Sequence, residues 1–153
     1  MRSSIGMAVR AGDLKPDIST VEALTRTLLQ EKSVAYSASA SGIYLSTDLF
    51  PSLGIADSIK GERQRIESER VSNVVARGDA EIGFQQISEL LPIEGVDYVG
   101  PLPDAVQQVT VVSAGVVTGA KNPDGAEALI RYLSSPAVAD SIIESGLEPV
   151  LSQ

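Results

Sequence analysis

The 153-residue chain is long enough for one domain with its own core, and 43% hydrophobic with 21% charged residues is a globular rather than a disordered composition. It contains no Cys and no His, which excludes disulfides, thiol nucleophiles, Ser-His-Asp catalysis and the usual zinc ligand sets, so no metal or other cofactor is expected. A formal net charge of -8 without any cluster of Lys and Arg argues against nucleic acid as a partner.

Aromatic residues are few (Phe 2, Tyr 4, Trp 0), so the core must be aliphatic, which suits strands buried between layers of helices. No stretch approaches the roughly 20 apolar residues of a membrane span. The start, Met1-Arg2-Ser3-Ser4, leaves no room for the apolar region of a signal peptide, and no address label is visible.

In chain order, residues 5–9 read as a strand running into a loop at Lys15-Pro16-Asp17. Ser19-Thr20-Val21-Glu22 has the form of a capping box with Ser19 as the cap. The helix after it places Val21, Leu24, Leu28 and Leu29 on one face. Residues 33–36 form a short strand, and Ser41-Gly42 opens a helix that Pro51 kinks or interrupts before Gly54. The polar stretch 58–70 holds an exposed strand near 64–67. Val71, Val74 and Val75 then mark a helix ended by Gly78. Residues 81–85 read as a buried strand, 87–91 as a helical turn, and 96–99 as a strand closed by Gly100-Pro101.

Residues 108–117 are the longest strand candidate, rich in β-branched side chains. Asn122-Pro123 and Ser135-Pro136 each pair a cap with a proline at the first helical position, predicting two final helices that end near Ser134 and Ser145. Strands alternating with helices predict an α/β layered domain.

Three places could carry chemistry. At Ser37 to Tyr44 a strand end runs through alternating serines into a helix start, where N–H groups and hydroxyls (Ser39, Ser41) can face an anion. At Glu69-Arg70-Val71-Ser72 a second helix start offers its amides and the Arg70 charge. At Phe84-Gln85-Gln86 a buried strand ends in amides that both donate and accept hydrogen bonds. Glu62, Glu67 and Glu69 alternate with arginines and read as a solvated, ion-paired surface instead of an acid–base pair.

The runs Ser33-Val-Ala-Tyr-Ser37, Ser41-Gly-Ile-Tyr44, Val74-Val-Ala-Arg-Gly-Asp-Ala-Glu-Ile-Gly-Phe-Gln-Gln86 and Tyr98-Val-Gly-Pro-Leu-Pro103 come in an order that resembles bacterial molybdate-type ABC-transporter binding proteins. Asn122-Pro123 and Leu133-Ser-Ser-Pro-Ala137 resemble that family's C-terminal end. The resemblance implies a type 2 periplasmic-binding-protein fold with a three-layer αβα lobe. On that frame, residues 1–11 are an outgoing crossover strand, 12–106 the second lobe, 107–120 a returning strand, and 121–153 helices of the first lobe. The N-terminal part of that lobe is then missing, as in a truncated product.

The function so implied is binding of a small anionic solute, such as a molybdate-like oxyanion, for ABC-type uptake without catalysis. Ser39, Ser41, Arg70, Val71 and Gln86 are the ligand-binding residues expected, with Gln86 standing where the molybdate binders have a tyrosine. An ABC permease is the partner expected for the full-length protein. The location is periplasmic if the intact gene carries a signal peptide and cytoplasmic otherwise. A homodimer or domain-swapped oligomer is expected to cover apolar faces such as Leu129, Ile130 and Leu133. The alternatives are a regulatory module, or a small isomerase on the same scaffold that uses a carboxylate or tyrosine; a buried Glu89 or Asp79 beside Gln86 would favour the isomerase.

Overall fold

The computed structural model describes residues 1–150. Among these residues seven strands form two sheets: β1 (Arg2–Ser3), β2 (Ile5–Arg10), β3 (Val34–Ser37), β4 (Arg63–Ile66), β5 (Ile82–Gln86), β6 (Val96–Pro101) and β7 (Thr110–Val111). The main sheet has the order β4-β3-β5-β2-β6. Strand β3 runs parallel to β4 and β5, whereas β2 is antiparallel to both of its neighbours. The chain enters through β2, so Ile5 pairs with Gln86 and the start of β2 lies beside the C-terminal end of β5.

Strand alternation sends side chains to two faces. Ile5, Met7, Val9, Val34, Tyr36, Ile82 and Phe84 face the larger core, beneath α1 (Val21–Gln30), α2 (Ala40–Tyr44) and α3 (Phe50–Ser52). Ala35 faces the other way, beneath α4 (Val71–Ala76), whose Val71, Val74 and Val75 form a second cluster. A Cβ on Gly83 would stand 2.5 Å from Val71 Cγ1 and 2.6 Å from Val75 Cγ2, so this glycine lets α4 lie directly on the sheet. Helix α5 (Ile87–Leu90) covers the same face, with Ile87 over Gly6. Helices on both faces give the three layers expected.

Local chemistry corrects several details. Thr20, not Ser19, caps α1 by accepting from Ala23 N at 3.1 Å, which places Glu22 at the second helical position, too early to complete a capping box. Leu29 is half exposed, because the buried stripe of α1 is Ala23, Leu24, Thr27 and Leu28 and a step of about 100° per residue turns Leu29 past it. Pro51 sits inside α3, and the interruption of the α-helical run lies just ahead of it. A π-helical turn at Leu45–Leu49 precedes it, and the Ser46 and Thr47 hydroxyls donate to the Gly42 and Ile43 carbonyls at 2.8 and 2.9 Å. At the end of α4, Gly78 (φ 81°) donates to Val75 O and Asp79 to Val74 O, the paired bonds of a left-handed helix stop.

The largest departure is at 108–117, where only Thr110–Val111 forms a strand. A strand needs a neighbour to complete its ladder, and here that neighbour is the two-residue β1, with Met1 and Val112 exchanging bonds at its edge. β-Branched propensity without a pairing edge leaves Val116 and Val117 exposed.

Beyond it, Asn122 caps α6 (Pro123–Leu133) as expected, by accepting from Gly125 N. Ser135 instead turns its hydroxyl back to Tyr132 O, and a 3-10 turn at Pro136–Val138 precedes α7 (Ala139–Glu144). No residue of α6 is buried. Glu148 returns to bridge Arg2, through Arg2 N to Glu148 O at 2.8 Å and Glu148 N to Arg2 O at 2.9 Å. Among the described residues no helix is long and apolar enough to cross a membrane.

Candidate functional site

The ends of β3, β4 and β5 and the start of β2 share one edge of the main sheet. Here Ser37, Ser39 and Ser41 gather their hydroxyls: 2.7 Å separates Ser37 Oγ from Ser39 Oγ, 3.0 Å Ser37 from Ser41, and 3.4 Å Ser39 from Ser41. Ser37 and Ser41 are buried and Ser39 is exposed, so the cluster opens outward at Ser39. Hydroxyls bonded to one another can each turn a proton to an arriving anion without a charged group having to be desolvated.

Gly42 makes this geometry possible. A Cβ there would collide with the Ser37 carbonyl, so the first turn of α2 can lie against the strand end only with glycine at this position.

Beside the serines, Gln85 lies on the same face as Ala35 and the α4 cluster, because it is two residues past Gly83. Its Oε1 accepts from Val71 N at 2.9 Å in a buried bond. The Val71 amide, expected as a ligand donor, is therefore already engaged within the chain. Arg70 caps α4 in extended conformation and is exposed. Its neighbours are paired off: Arg77 grips Glu69 with two bonds of 2.8 and 2.9 Å and reaches Asp79 at 3.1 Å, while Arg65 pairs with Glu67 at 3.2 Å. Arg77 holds the Glu69 carboxyl below its ordinary range. Arg70 has no ion-pair partner among the described residues.

Gln86 is not beside them. It follows Gln85 by one residue and so turns to the opposite face, where it pairs with Ile5. Its amide lies between Ser3 Oγ, at 2.7 Å, and Thr110 Oγ1, at 3.2 Å. With the NH2 group toward Ser3, it also donates to Ser4 O at 3.1 Å while its carbonyl accepts from Thr110. Nearby, Gln107 donates to Ile5 O and accepts from Ile5 N, both at 2.9 Å, as a strand neighbour would. Tyr44 OH donates to Val106 O at 2.8 Å, and burial followed by the Asp48 charge pushes this phenol above its ordinary value.

The structure thus brings Ser39, Ser41, Arg70 and Val71 to one face of the edge and puts Gln86 on the other. Ser37 and Gln85 lay in stretches the sequence had pointed to but were not among the ligand-binding residues expected, whereas Ser3, Thr110 and Gln107 were missed; for Gln85 the signal existed, since consecutive amides in a strand must diverge. Asp79 is exposed and paired with Arg77, whereas Glu89 is half-buried with Oε2 fully enclosed and unpartnered. No group of three or more acidic residues able to hold a metal occurs among the described residues.

A curated relative, the aconitate isomerase of a Pseudomonas sp, is 47% identical over 152 residues, covering 99% of this chain and 58% of its own length. This chain therefore spans less than two thirds of that relative. The similarity overturns the expectation of an uptake binder without catalysis, because so similar a relative is an enzyme. The absence of His and Cys had weighed against an enzyme, but it removes only those two acid–base and nucleophilic groups and leaves carboxylates, tyrosines and lysines.

Among solved structures, the substrate binding domain of a molybdenum ABC transporter from Clostridium difficile matches with a TM-score of 0.70 at 18% identity, over 97% of this chain and 64% of that one. A periplasmic thiamin binding protein matches with a TM-score of 0.58 at 12% identity, over 99% of this chain and 52% of that one. These matches show the type 2 periplasmic-binding-protein fold. The family described as bacterial extracellular solute-binding protein matches residues 1–148, and the chain belongs to it.

Proposed function

We propose that this chain supplies part of the substrate site of an isomerase acting on aconitate or a closely similar unsaturated polycarboxylate. The observation that carries the reading is the 47% identity, spread over 152 residues, to a protein named aconitate isomerase. The edge geometry is compatible with it. The serine hydroxyls can hold one carboxylate through neutral donors, and Arg70, which has no ion-pair partner among the described residues while Arg77 holds the neighbouring Glu69, can meet a second.

Aconitate carries three carboxylates around a carbon–carbon double bond. An isomerisation that withdraws a proton from the CH2 carbon and returns one to the far alkene carbon moves the double bond without net oxidation or reduction. It needs only an acid–base group and firm placement of the carboxylates, and this chain's hydroxyls and guanidinium act on placement. The location that goes with this reading is outside the cytoplasm, after the family's description as extracellular.

The test is proton NMR of cis- and trans-aconitate in D2O with the chain alone and with the chain joined to the remaining part of the Pseudomonas relative. Interconversion with deuterium entering carbon positions is expected. No interconversion by either form, with no aconitate binding in calorimetry, would overturn the reading.

A further inference from the structure

The two consecutive amides of β5 act on opposite sides of the sheet. Gln85 Oε1 holds the Val71 amide under the Arg70 loop, whereas Gln86 is bonded to Ser3 of β1 and Thr110 of β7. Among the described residues those two short strands pair only with each other, apart from the bridge between Arg2 and Glu148, and they are the segments through which the chain enters and leaves the main sheet. Ser3 is buried, and Gln86 satisfies both hydroxyls with one planar group.

We infer that Gln86 is a positioning residue that ties the β1–β7 ribbon to the substrate edge and sets the angle between them, and does not contact the substrate. Three details support this. The amide already holds a partner within the chain at each of its two ends. It faces away from the serine cluster and Val71. It also reaches both members of the ribbon, which no other side chain described here does: Gln107 grips Ile5 and Leu102, and Tyr44 grips Val106, all on the main-sheet side.

A shift of the ribbon against the sheet must then break or carry the Gln86 bonds. Because Gln85 and Gln86 are adjacent in one strand, such a shift is felt at the Val71–Arg70 loop through a single peptide unit. The kinetic part of this inference rests on the isomerase reading; the structural part does not.

The experiment compares wild type, Gln86→Met, Thr110→Val and the double variant by amide hydrogen exchange and aconitate kinetics. Gln86→Met is expected to speed exchange at residues 1–3 and 110–112 by about tenfold, with exchange in β3 and in α4 beyond Val71 unchanged. Thr110→Val should produce part of that effect, and the double variant no more than Gln86→Met alone, because both remove the same link. In turnover, kcat should fall while KM stays within about twofold.

Unchanged exchange in both ribbon segments would overturn the inference, as would a large rise in KM with normal exchange, which marks direct substrate contact. If wild type itself fails to turn over aconitate, the isomerase reading falls and the exchange data alone decide the role of Gln86.

Discussion

Ser37, at the end of β3, and Ser41, in the first turn of the next helix, are buried and 3.0 Å apart through their hydroxyls, with Gly42 closing the gap against the Ser37 carbonyl. The helix therefore begins directly on the strand end, and the serine hydroxyls are fixed by backbone contact rather than by charge.

Gly42→Ala should be damaging out of proportion to one methyl group. The new Cβ meets backbone, which cannot rotate away as a side chain would. A cost of about 2–3 kcal/mol is expected, from overpacking and displacement of the helix start. That corresponds to a melting temperature lower by roughly 5–10 °C for a domain of this size. A calorimetric scan within a degree or two of wild type would refute the close approach.

Gln85→Leu keeps the volume but leaves the Val71 amide without its acceptor in a buried place. The loss should be about 1–3 kcal/mol, because an unsatisfied buried donor costs its desolvation. Aconitate affinity should fall as well, since the Arg70 loop loses its anchor. Chemical denaturation measures the first effect and calorimetry the second. Loss of stability with unchanged affinity would separate the loop from the site.

The far end of the sheet should respond to pH. Glu31 lies beside Glu81, whose Oε2 already accepts from Lys32 N at 2.7 Å; burial first, and then a hydrogen bond and repulsion from Glu81, push the Glu31 carboxyl above its ordinary value. A raised acid is stabilising while protonated. Its contribution is fully present below the ordinary carboxyl value and is lost as pH rises through the folded-state value. Glu31→Gln should therefore match wild type near pH 4 and be more stable at pH 7, by less than about 1 kcal/mol because the pair is only partly shielded from solvent. Melting curves across that range check it; a variant less stable at pH 7 would contradict the sign.

The face made by β7 and α6 should drive self-association. Val111, Val112, Leu129 and Tyr132 are each about half exposed or more, and nothing of α6 is buried. Apolar patches of this kind seek cover, so a homodimer or domain-swapped form is expected at high concentration. Light scattering should show it, and Leu129→Glu should shift the population toward monomer. A monodisperse monomer of the unaltered chain would end this expectation.

Much of the fold was legible in the sequence because local rules and burial agree there. Asn122-Pro123 capped a helix, Gly78 stopped one, and period-two aliphatic runs became β2, β3 and β5. The same periodicity could show that Gln85 and Gln86 diverge, but not which of them met a helix amide and which met Ser3 and Thr110, since those partners are 14, 83 and 24 residues away along the chain. Residues 108–117 show the converse: β-branched propensity was present, yet only tertiary pairing decides whether a strand forms, and β1 offers an edge for two residues. Composition by itself determined an acidic chain without His or Cys and with an aliphatic core. Tertiary structure decided which partners occupy the Gln85 and Gln86 amides and which edge the serine hydroxyls share with the α4 start, because these depend on the packing of segments distant in sequence.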